Sequence, residues 1–315
     1  MTDVSRGTTD VLVIGAGAIG ALYGGMLARA GAAVSVVCRS DHAAVESGGF
    51  DVRSPWGDFV FRPVRVLRSP AECTRPPDYV LLAVKVVRGL DRVALLRNAV
   101  GPDTVIVVFG NGIGIEQEIA DAFPDHELIS ALAFVAVSRV GEATIQHHAL
   151  GRLEMGNFPR GVSGRTQQLA ALFQAAGVPC DTKAEVLASR WLKNLWNIAF
   201  NPISVLGGGL DTRAILAPAE GIDFVRRVML EAATVAAAHG YPIETGVIDE
   251  AIASTRAMKP YKTSMALDHE HGRPMEVEPI LGNVVRLARL RGVAVPSLEA
   301  LYGLLRMVQD RVEVD

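Results

Sequence analysis

The side chains best suited to proton transfer lie on one predicted helix. Lys193, Asn197 and Asn201 recur every four residues within 190–202, so they fall within an arc of about 80° on one helix face. The positions around them are mostly apolar, which predicts a buried helix, and an unpaired buried polar group costs about 1–3 kcal/mol. Because burial lowers the pKa of an amine, Lys193 is suited to protonate a forming alkoxide. Alternatively, the asparagines tie helix to helix while the lysine ammonium reaches solvent.

A glycine-rich turn near the start of the chain indicates a dinucleotide site. The apolar run Val11–Ile14 predicts a buried parallel strand, and the composition of Ala21–Leu27 favours a helix. Between them, Gly15 would permit a tight turn, Gly17 close approach of a pyrophosphate, and Gly20 close packing of helix on strand. The helix N–H groups would then face the phosphates. The predicted cofactor-binding residues of this turn are Gly15, Ala16, Gly17, Ala18, Ile19 and Gly20.

The end of the next strand suggests which dinucleotide is bound. Ala33–Val37 is rich in β-branched residues and leads into Cys38, Arg39 and Ser40, about twenty residues past the glycines. An NAD site usually has an acidic residue there for the ribose 2′-hydroxyl, whereas a basic residue with a nearby hydroxyl suits a 2′-phosphate. We therefore predict NADP rather than NAD. The alternative is that Arg39 is a solvated loop cation.

Two further polar residues follow predicted parallel strands. Asn111 lies in the turn 110–114, after the strand Thr104–Phe109, and Lys85 ends the strand Tyr79–Val84. The carboxyl ends of strands in a doubly wound sheet are where ligands bind. Lys85 is therefore a candidate for a cofactor phosphate. The alternatives are that the turn 110–114 is a plain glycine turn and that Lys85 is solvated.

The segment 262–282 contains the remaining candidates, Ser264 and Glu276. An acidic residue in the first turn of a helix is ordinary dipole complementation, which is the alternative reading of Glu276. His269 and His271 lie beside two acidic residues, but all four are clustered in one polar turn with no other ligand pattern. No metal site is predicted.

The elements that must position these residues divide into two parts. Strands and helices alternate up to about residue 182, which is typical of an α/β, Rossmann-type doubly wound sheet; beyond it only helices are predicted. We expect an NADP-binding domain over residues 9–182 and an all-helical C-terminal domain for substrate binding and dimerisation over 183–313. Phe50–Arg53 and Asp58–Phe61 are predicted to form a hairpin that Val64–Leu67 continues, and Glu276–Arg291 one helix.

Composition excludes several classes of protein. The 315 residues are 50% hydrophobic with a formal net charge of −3, so there is no electrostatic basis for binding nucleic acid or an anionic membrane. Three cysteines without metal-ligand spacing favour a reducing compartment. Met1–Thr9 lacks the apolar stretch of a signal peptide, and no uncharged run of residues reaches the roughly 18 that a membrane-spanning helix needs. We expect a cytoplasmic protein.

Taken together, the motifs resemble those of one family, the ketopantoate reductases or 2-dehydropantoate 2-reductases. The resemblance covers nearly the whole chain. It rests on GAGAIG, an arginine after the second strand, a lysine after the fourth, N-G-x-G, W-x-K-x-x-x-N-x-x-x-N-P, S-M-x-x-D and E-V-x-x-x-x-G. It implies a Rossmann domain, an all-helical domain and a cleft between them. It also implies reduction of ketopantoate to pantoate with NADPH, on the route to pantothenate and coenzyme A.

The resemblance also implies residue roles. Lys193 would be the catalytic acid, Glu276 would hold the substrate hydroxyl, and Asn111 would lie near the nicotinamide. The other implied substrate contacts are Asn197, Asn201 and Ser264, and the implied cofactor contacts are Lys85 and Arg39. The chain departs from the family at Gly110, where glutamine is frequent, and at Leu281, near Pro279, where asparagine is frequent.

These departures leave the substrate open, and three functions are considered. The first is an NADPH-dependent reductase of a branched 2-oxo acid, ketopantoate or another. The second is a 3-hydroxyacid or opine-type dehydrogenase, which the E-V-x-x-x-x-G element and the preceding S-M argue against. The third is a non-catalytic NADP-sensing protein, which would not need Lys193 and Glu276 together. The oligomeric state stays open, and a homodimer is one option.

Overall fold

The computed structural model describes residues 8–312, with side chains described to residue 309. Within these residues the chain forms two compact units. The sheet unit comprises residues 8–84, 91–110 and 116–187, and the helical unit comprises 85–90, 111–115 and 188–312. Most of the Met1–Thr9 segment, and residue 313 at the end of the expected helical domain, lie outside the described residues. No helix within 8–312 has the length and apolar character needed to cross a bilayer.

The described part of the sheet unit contains ten strands and five α-helices. The strands are β1 (Asp10–Ile14), β2 (Ala33–Val37), β3 (Phe50–Arg53), β4 (Phe59–Phe61), β5 (Val66–Leu67), β6 (Tyr79–Leu82), β7 (Val105–Phe109), β8 (Leu128–Gly141), β9 (Thr144–Asn157) and β10 (Cys180–Thr182). The helices are α1 (Ala18–Arg29), α2 (His42–Gly48), α3 (Arg92–Arg97), α4 (Gln117–Ala122) and α5 (Gly164–Ala175). This alternation confirms the predicted Rossmann-type fold.

The strand order explains why ligands are expected at the end of β1. The order is β4-β3-β9-β8-β7-β6-β1-β2-β5, with β10 on β9, and the strands from β8 to β5 are parallel. β1 is flanked by β2 on one side and β6 on the other, so the direction of winding reverses there. Its residues Val11–Ile14 are almost completely buried, because both faces of a parallel sheet are covered. A topological switch point of this kind is the usual ligand-binding position.

The predicted hairpin is confirmed in part. β3 and β4 pair antiparallel, as expected. The prediction that Val64–Leu67 continues this hairpin is wrong, because β5 instead pairs parallel with β2, with Val36 opposite Val66. Alternating apolar residues indicate a strand but not its neighbour. The open edge of β2 gives the β5 backbone its partners: Cys38 N donates to Leu67 O at 2.9 Å.

The described part of the helical unit is built on α6 (Val186–Leu206), whose first two residues belong to the sheet unit. The other helices are α7 (Thr212–Leu216), α8 (Ala219–Ala238), α9 (Thr245–Ala257), α10 (Ser264–Glu270), α11 (Asn283–Arg291) and α12 (Pro296–Val312). Sequence analysis missed α7 and α10, which are too short to show helical periodicity. The predicted single helix Glu276–Arg291 instead contains a π-helical turn, Glu278–Gly282, before α11. Pro279 at its start lacks the N–H that a regular helix interior would use.

Three hydrogen bonds join the turn after β7 to residues of the helical unit. Ile113 N donates to the carbonyl of Pro279 at 2.8 Å. The Ile113 carbonyl accepts from Asn283 Nδ2 at 2.6 Å, and the Gly112 carbonyl accepts from Arg190 Nη1 at 3.1 Å. Residues 85–90 and 111–115 therefore belong to the helical unit, although the sequence suggested a single division near residue 182.

Candidate active site and cofactor loop

The side chain of Asn111 joins the two groups expected to do chemistry. Lys193 Nζ donates to Asn111 Oδ1 at 2.9 Å, and Asn111 Nδ2 donates to Glu276 Oε2 at 3.1 Å. An ammonium can only donate and a carboxylate accepts, so only one orientation of the amide satisfies both contacts. Lys193 and Glu276, which are 82 and 165 positions from Asn111, are thus brought into one hydrogen-bonded row with it.

Glu276 is a carboxyl group whose protonation is tuned by burial. Burial raises its pKa above the ordinary value of 4.5, and the nearby charge of Asp268 adds to the rise. Hydrogen bonds from Val86 N and Asn111, together with the charge of Lys85, oppose it without cancelling it. The Val86 N–H reaches Oε1 at 3.1 Å, so each carboxylate oxygen accepts one hydrogen bond from within the unit. Each oxygen retains a second lone pair for a ligand.

Lys85 lies in this cluster as the partner of a buried aspartate. Its Nζ is 2.5 Å from Asp268 Oδ2, and Arg273 Nε donates to Asp268 Oδ1 at 3.0 Å. Asp268 is 6% exposed, so two cations compensate its buried charge. The predicted role of Lys85 on a cofactor phosphate stays a prediction. Its observed contact is with a carboxylate of α10.

Helix α6 presents the predicted amide face, with unequal exposure along it. Lys193 and Asn197 are half-buried, whereas Asn201 is 1% exposed. Asn201 Oδ1 has no hydrogen-bond partner among the described residues, which makes it an unsatisfied acceptor in the core. Ser264, the first residue of α10, is exposed, and the preceding Thr263 caps this helix through Oγ1.

Sequence reasoning missed two polar residues that hold the site from α6. Arg190 is 1% exposed and binds the Gly112 carbonyl, while Asn194, 2% exposed, donates from Nδ2 to the Ile280 carbonyl at 3.0 Å. Arg190 lies three residues before Lys193, and Asn194 directly follows it. Like Lys193, both are polar residues on a helix that the sequence predicts to be buried. The sequence does not show which distant backbone carbonyl each of them binds.

In the sheet unit, the glycine turn has the geometry expected for a dinucleotide. Gly15 has a φ of +97°, which favours glycine, and a Cβ there would lie 2.7 Å from Val84 Cγ1. A Cβ on Gly20 would overlap the carbonyl oxygen of Gly15. A Cβ on Gly17 meets no atom within 4 Å, so it would project into the open space above the turn. No side chain caps α1, whose first N–H groups are thus available for a pyrophosphate.

The loop after β2 presents Arg39 and Ser40 to solvent, and both are exposed. Arg39 forms no ion pair with another residue of the described part of the chain. Ser40 Oγ accepts from Arg139 Nη1 at 2.9 Å, and Arg139 also pairs with Asp41. Sequence analysis missed Arg139, because it lies 99 positions from Ser40 on β8 and no local pattern marks it.

The described residues also contain no group of three or more His, Cys, Asp or Glu side chains that could hold a metal ion.

A Rossmann-type sheet with a dinucleotide turn, together with a lysine, an amide and a carboxylate in one row, defines a nicotinamide-dependent oxidoreductase. The family model "Ketopantoate reductase PanE/ApbA" matches residues 11–160, and its C-terminal counterpart matches 185–309. The chain belongs to the ketopantoate reductase family.

Individual relatives agree with this assignment. The chain is 33% identical over 304 residues to a 2-dehydropantoate 2-reductase of Nostoc sp., covering 95% of each chain. A solved 2-dehydropantoate 2-reductase from Methylococcus capsulatus is 52% identical, with a TM-score of 0.90 over 96% of this chain and 97% of that one. The structure from Geobacter metallireducens is 34% identical, with a TM-score of 0.90 over 95% and 99%.

Alanine at Gly17 and alanine at Gly20 should affect different properties of the protein. Gly17→Ala should weaken dinucleotide binding at least tenfold and leave the midpoint of thermal unfolding nearly unchanged, because its Cβ would enter only the open space where a pyrophosphate is expected. Gly20→Ala should lower the free energy of unfolding by about 1–3 kcal/mol, since its Cβ overlaps backbone. Titration calorimetry measures the binding affinity, and thermal unfolding measures the stability. Gly164→Ala, equally open at the start of α5, is the neutral control. Equal NADP affinity in Gly17→Ala and wild type would contradict this assignment.

The raised pKa of Glu276 should appear in the pH dependence of stability. A carboxyl whose folded pKa exceeds its unfolded value binds protons on folding, so wild type should lose stability relative to Glu276→Gln as pH rises from about 4.5 through the raised value. Urea unfolding at several pH values measures this difference. Glu278 provides a control of opposite sign. Burial alone would raise the pKa of Glu278, but hydrogen bonds from Arg286, Arg306 and Tyr302 lower it further than burial raises it. The stability that the Glu278 carboxylate contributes should therefore be lost as pH falls. A pH-independent difference for Glu276→Gln would refute the raised pKa.

Proposed function

We propose that this protein reduces a 2-oxo acid to the 2-hydroxy acid with NADPH, and that its substrate is 2-dehydropantoate, which becomes pantoate. The observation that carries the proposal is the Lys193–Asn111–Glu276 row, which combines a proton donor with an acceptor for a substrate hydroxyl. The product would enter pantothenate and coenzyme A synthesis. This function is consistent with a cytoplasmic enzyme.

Lys193 is proposed to complete the reduction as general acid. When bound, NADPH supplies the hydride that adds to the C2 ketone carbon. Negative charge then develops on the ketone oxygen, and the Lys193 ammonium is both a counter-charge and a proton source for it. Transfer of one proton to the oxygen gives the hydroxyl group of the product, and the neutral amine regains a proton from water. Asn111 Oδ1 orients the lysine, because its contact fixes where Nζ lies.

Glu276 is proposed to select the substrate through its distal hydroxyl group. Ketopantoate has a hydroxyl at C4 that can donate to a carboxylate oxygen. Asn111 Nδ2 and Val86 N hold the carboxylate from the protein side. A partly buried carboxylate whose substrate donates such a bond discriminates against analogues lacking the hydroxyl, because the carboxylate oxygen would then be left unpaired. Asn197 and Ser264 are proposed to bind the rest of the substrate. Asn201 is proposed to bind it as well, through its buried Oδ1, which accepts no hydrogen bond within the described residues.

The choice of NADP over NAD is proposed to rest on the loop after β2. Arg39 is exposed, and Ser40 offers a hydroxyl beside it. A guanidinium pairs with a phosphate through charge-assisted hydrogen bonds. The glycine turn would hold the pyrophosphate of the same cofactor. Lys85 is proposed as a further cofactor contact, which would require it to exchange its present partner Asp268.

A different 2-oxo acid is the second candidate substrate. Leu281, where the family often has asparagine, is completely buried in the apolar core of the helical unit and offers no polar group to a substrate. A homodimer also stays a proposal. The solved ketopantoate reductase of Staphylococcus aureus is described as dimeric, but at 23% identity it shows only a shared fold.

The substrate is tested by NADPH oxidation with a panel of 2-oxo acids. Wild type should prefer ketopantoate to an acid of like shape without the C4 hydroxyl, and Glu276→Ala should lose most of this discrimination in kcat/KM. Glu299→Ala, an exposed carboxylate paired with Arg289, is the matched control and should keep it. Should wild type prefer the hydroxyl-free acid, the ketopantoate assignment fails while reduction of 2-oxo acids stands.

Removing the Lys193 ammonium should abolish most of the turnover. Lys193→Ala should lower kcat by about 10²–10⁴-fold, with NADPH affinity retained, because general-acid catalysis is lost and the glycine turn is untouched. Lys193→Arg keeps charge but has a higher pKa and a different shape, so it should restore little activity. Steady-state kinetics and fluorescence titration of NADPH measure the two effects. Lys259→Ala, an exposed lysine after α9, serves as control. A kcat within a few-fold of wild type in Lys193→Ala would exclude this mechanism.

Replacing Arg39 should weaken the use of NADPH but not that of NADH. Arg39→Ala should raise KM for NADPH about tenfold or more and hardly change that for NADH, because only NADPH carries the 2′-phosphate. The control is Arg53→Ala, which removes an exposed arginine of the same unit that is paired with Asp51. Equal effects on both cofactors, or a wild-type preference for NADH, would show that Arg39 does not read the 2′-phosphate.

A further inference from the structure

Asp41 occupies a sequence position that conflicts with NADP binding. It is the first acidic residue after the glycine turn, about twenty residues past Gly20. In dinucleotide folds that bind NAD, a carboxylate at about this distance accepts the ribose 2′-hydroxyl. The same carboxylate would repel a 2′-phosphate. The loop therefore contains both a cation that suits NADP, Arg39, and an anion that suits NAD.

The structure shows that this carboxylate is withdrawn from solvent by a residue of another strand. Arg139 Nη1 lies 2.9 Å from Asp41 Oδ1 and 3.1 Å from Oδ2, and Ala143 N donates to Oδ2 at 3.1 Å. Asp41 is 4% exposed as a result. Arg139 thus removes both the accessibility of the carboxylate and its net charge.

The same guanidinium also prepares the hydroxyl of Ser40. Ser40 Oγ accepts from Arg139 Nη1 at 2.9 Å, so its own O–H remains to donate. Phosphate oxygens are acceptors only, so a donor turned outward suits them. Arg39, the neighbouring residue, is exposed and unpaired within the described chain. With Asp41 neutralised, the exposed part of the loop presents a cation and a donor.

We propose that Arg139 is a positioning residue that determines selectivity for NADP by binding and neutralising Asp41. This rests on the proposed use of NADP. Arg139 acts through Asp41 and not by touching the cofactor. Without Arg139, the Asp41 carboxylate would be buried with a single backbone donor, and it would regain hydration by turning to the surface beside Arg39. There it would pair with Arg39 and repel the 2′-phosphate.

The test measures cofactor fragments by calorimetry, so it does not depend on turnover. The ratio of Kd for 5′-AMP to Kd for 2′,5′-ADP reports selectivity for the 2′-phosphate. Arg139→Met should lower this ratio about tenfold or more. Asp41→Asn alone should not lower it, because no carboxylate then remains to repel the 2′-phosphate. The double variant R139M/D41N should regain the wild-type ratio, and it contains no unpaired buried charge. Arg152→Met, which removes an ion pair of similar exposure with Glu154 on β9, is the control.

Each outcome decides a different question. If wild type binds 5′-AMP as tightly as 2′,5′-ADP, the proposed use of NADP fails. If wild type is selective and R139M is equally selective, only the role of Arg139 fails. A low ratio in R139M/D41N would show direct contact between Arg139 and the phosphate and would overturn the action through Asp41. Should R139M not fold, Arg139→Gln, which removes the charge but keeps a donor, takes its place with the same expected fall.

Discussion

The site in the helical unit depends on one neutral amide between two charges. An amide can accept from an ammonium through its oxygen and donate to a carboxylate through its nitrogen. The Asn111 side chain separates them and satisfies one donor of the lysine and one lone pair of the glutamate. Charge compensation is retained across the row, which limits the cost of burial, and each oxygen of the Glu276 carboxylate keeps a second lone pair for a substrate.

This arrangement requires the turn 111–115 to be held rigidly, and the helical unit supplies the restraints. Three hydrogen bonds fix the turn: from Arg190 to Gly112, from Ile113 to Pro279, and from Asn283 to Ile113. Two of the partners belong to the π-helical turn and α11 immediately after Glu276. The elements that place Asn111 therefore also place the carboxylate it binds. A regular helix starting at Glu276 would direct the Pro279 carbonyl along the helix axis toward residue 283, where it could not serve Ile113.

Sequence patterns predicted those structural elements that are determined by residues close together in the chain. The turn at Gly15–Gly20, the strands Ala33–Val37 and Phe50–Arg53, and the apolar helix carrying Lys193 all have signatures within about twenty residues. The pairing of β5 with β2 and the π-helical turn were not predictable in this way, because each depends on a partner distant in sequence or on competing backbone geometries. The resemblance to a family proposed roles for Asn111 and Glu276 but did not show that they bind each other.

The same limit applies to cofactor selectivity, and the reason is electrostatic. In the sequence of the loop after β2, Arg39 favours binding of a 2′-phosphate and Asp41 disfavours it. Which charge dominates depends on burial, since a carboxylate that is exposed repels a phosphate whereas one paired at 2.9 Å with a guanidinium does not. That pairing partner, Arg139, lies on β8, which is separated from β2 in the sheet by β1, β6 and β7. The charge that a loop presents to its ligand is thus a property of the folded sheet, and the loop sequence alone does not determine it.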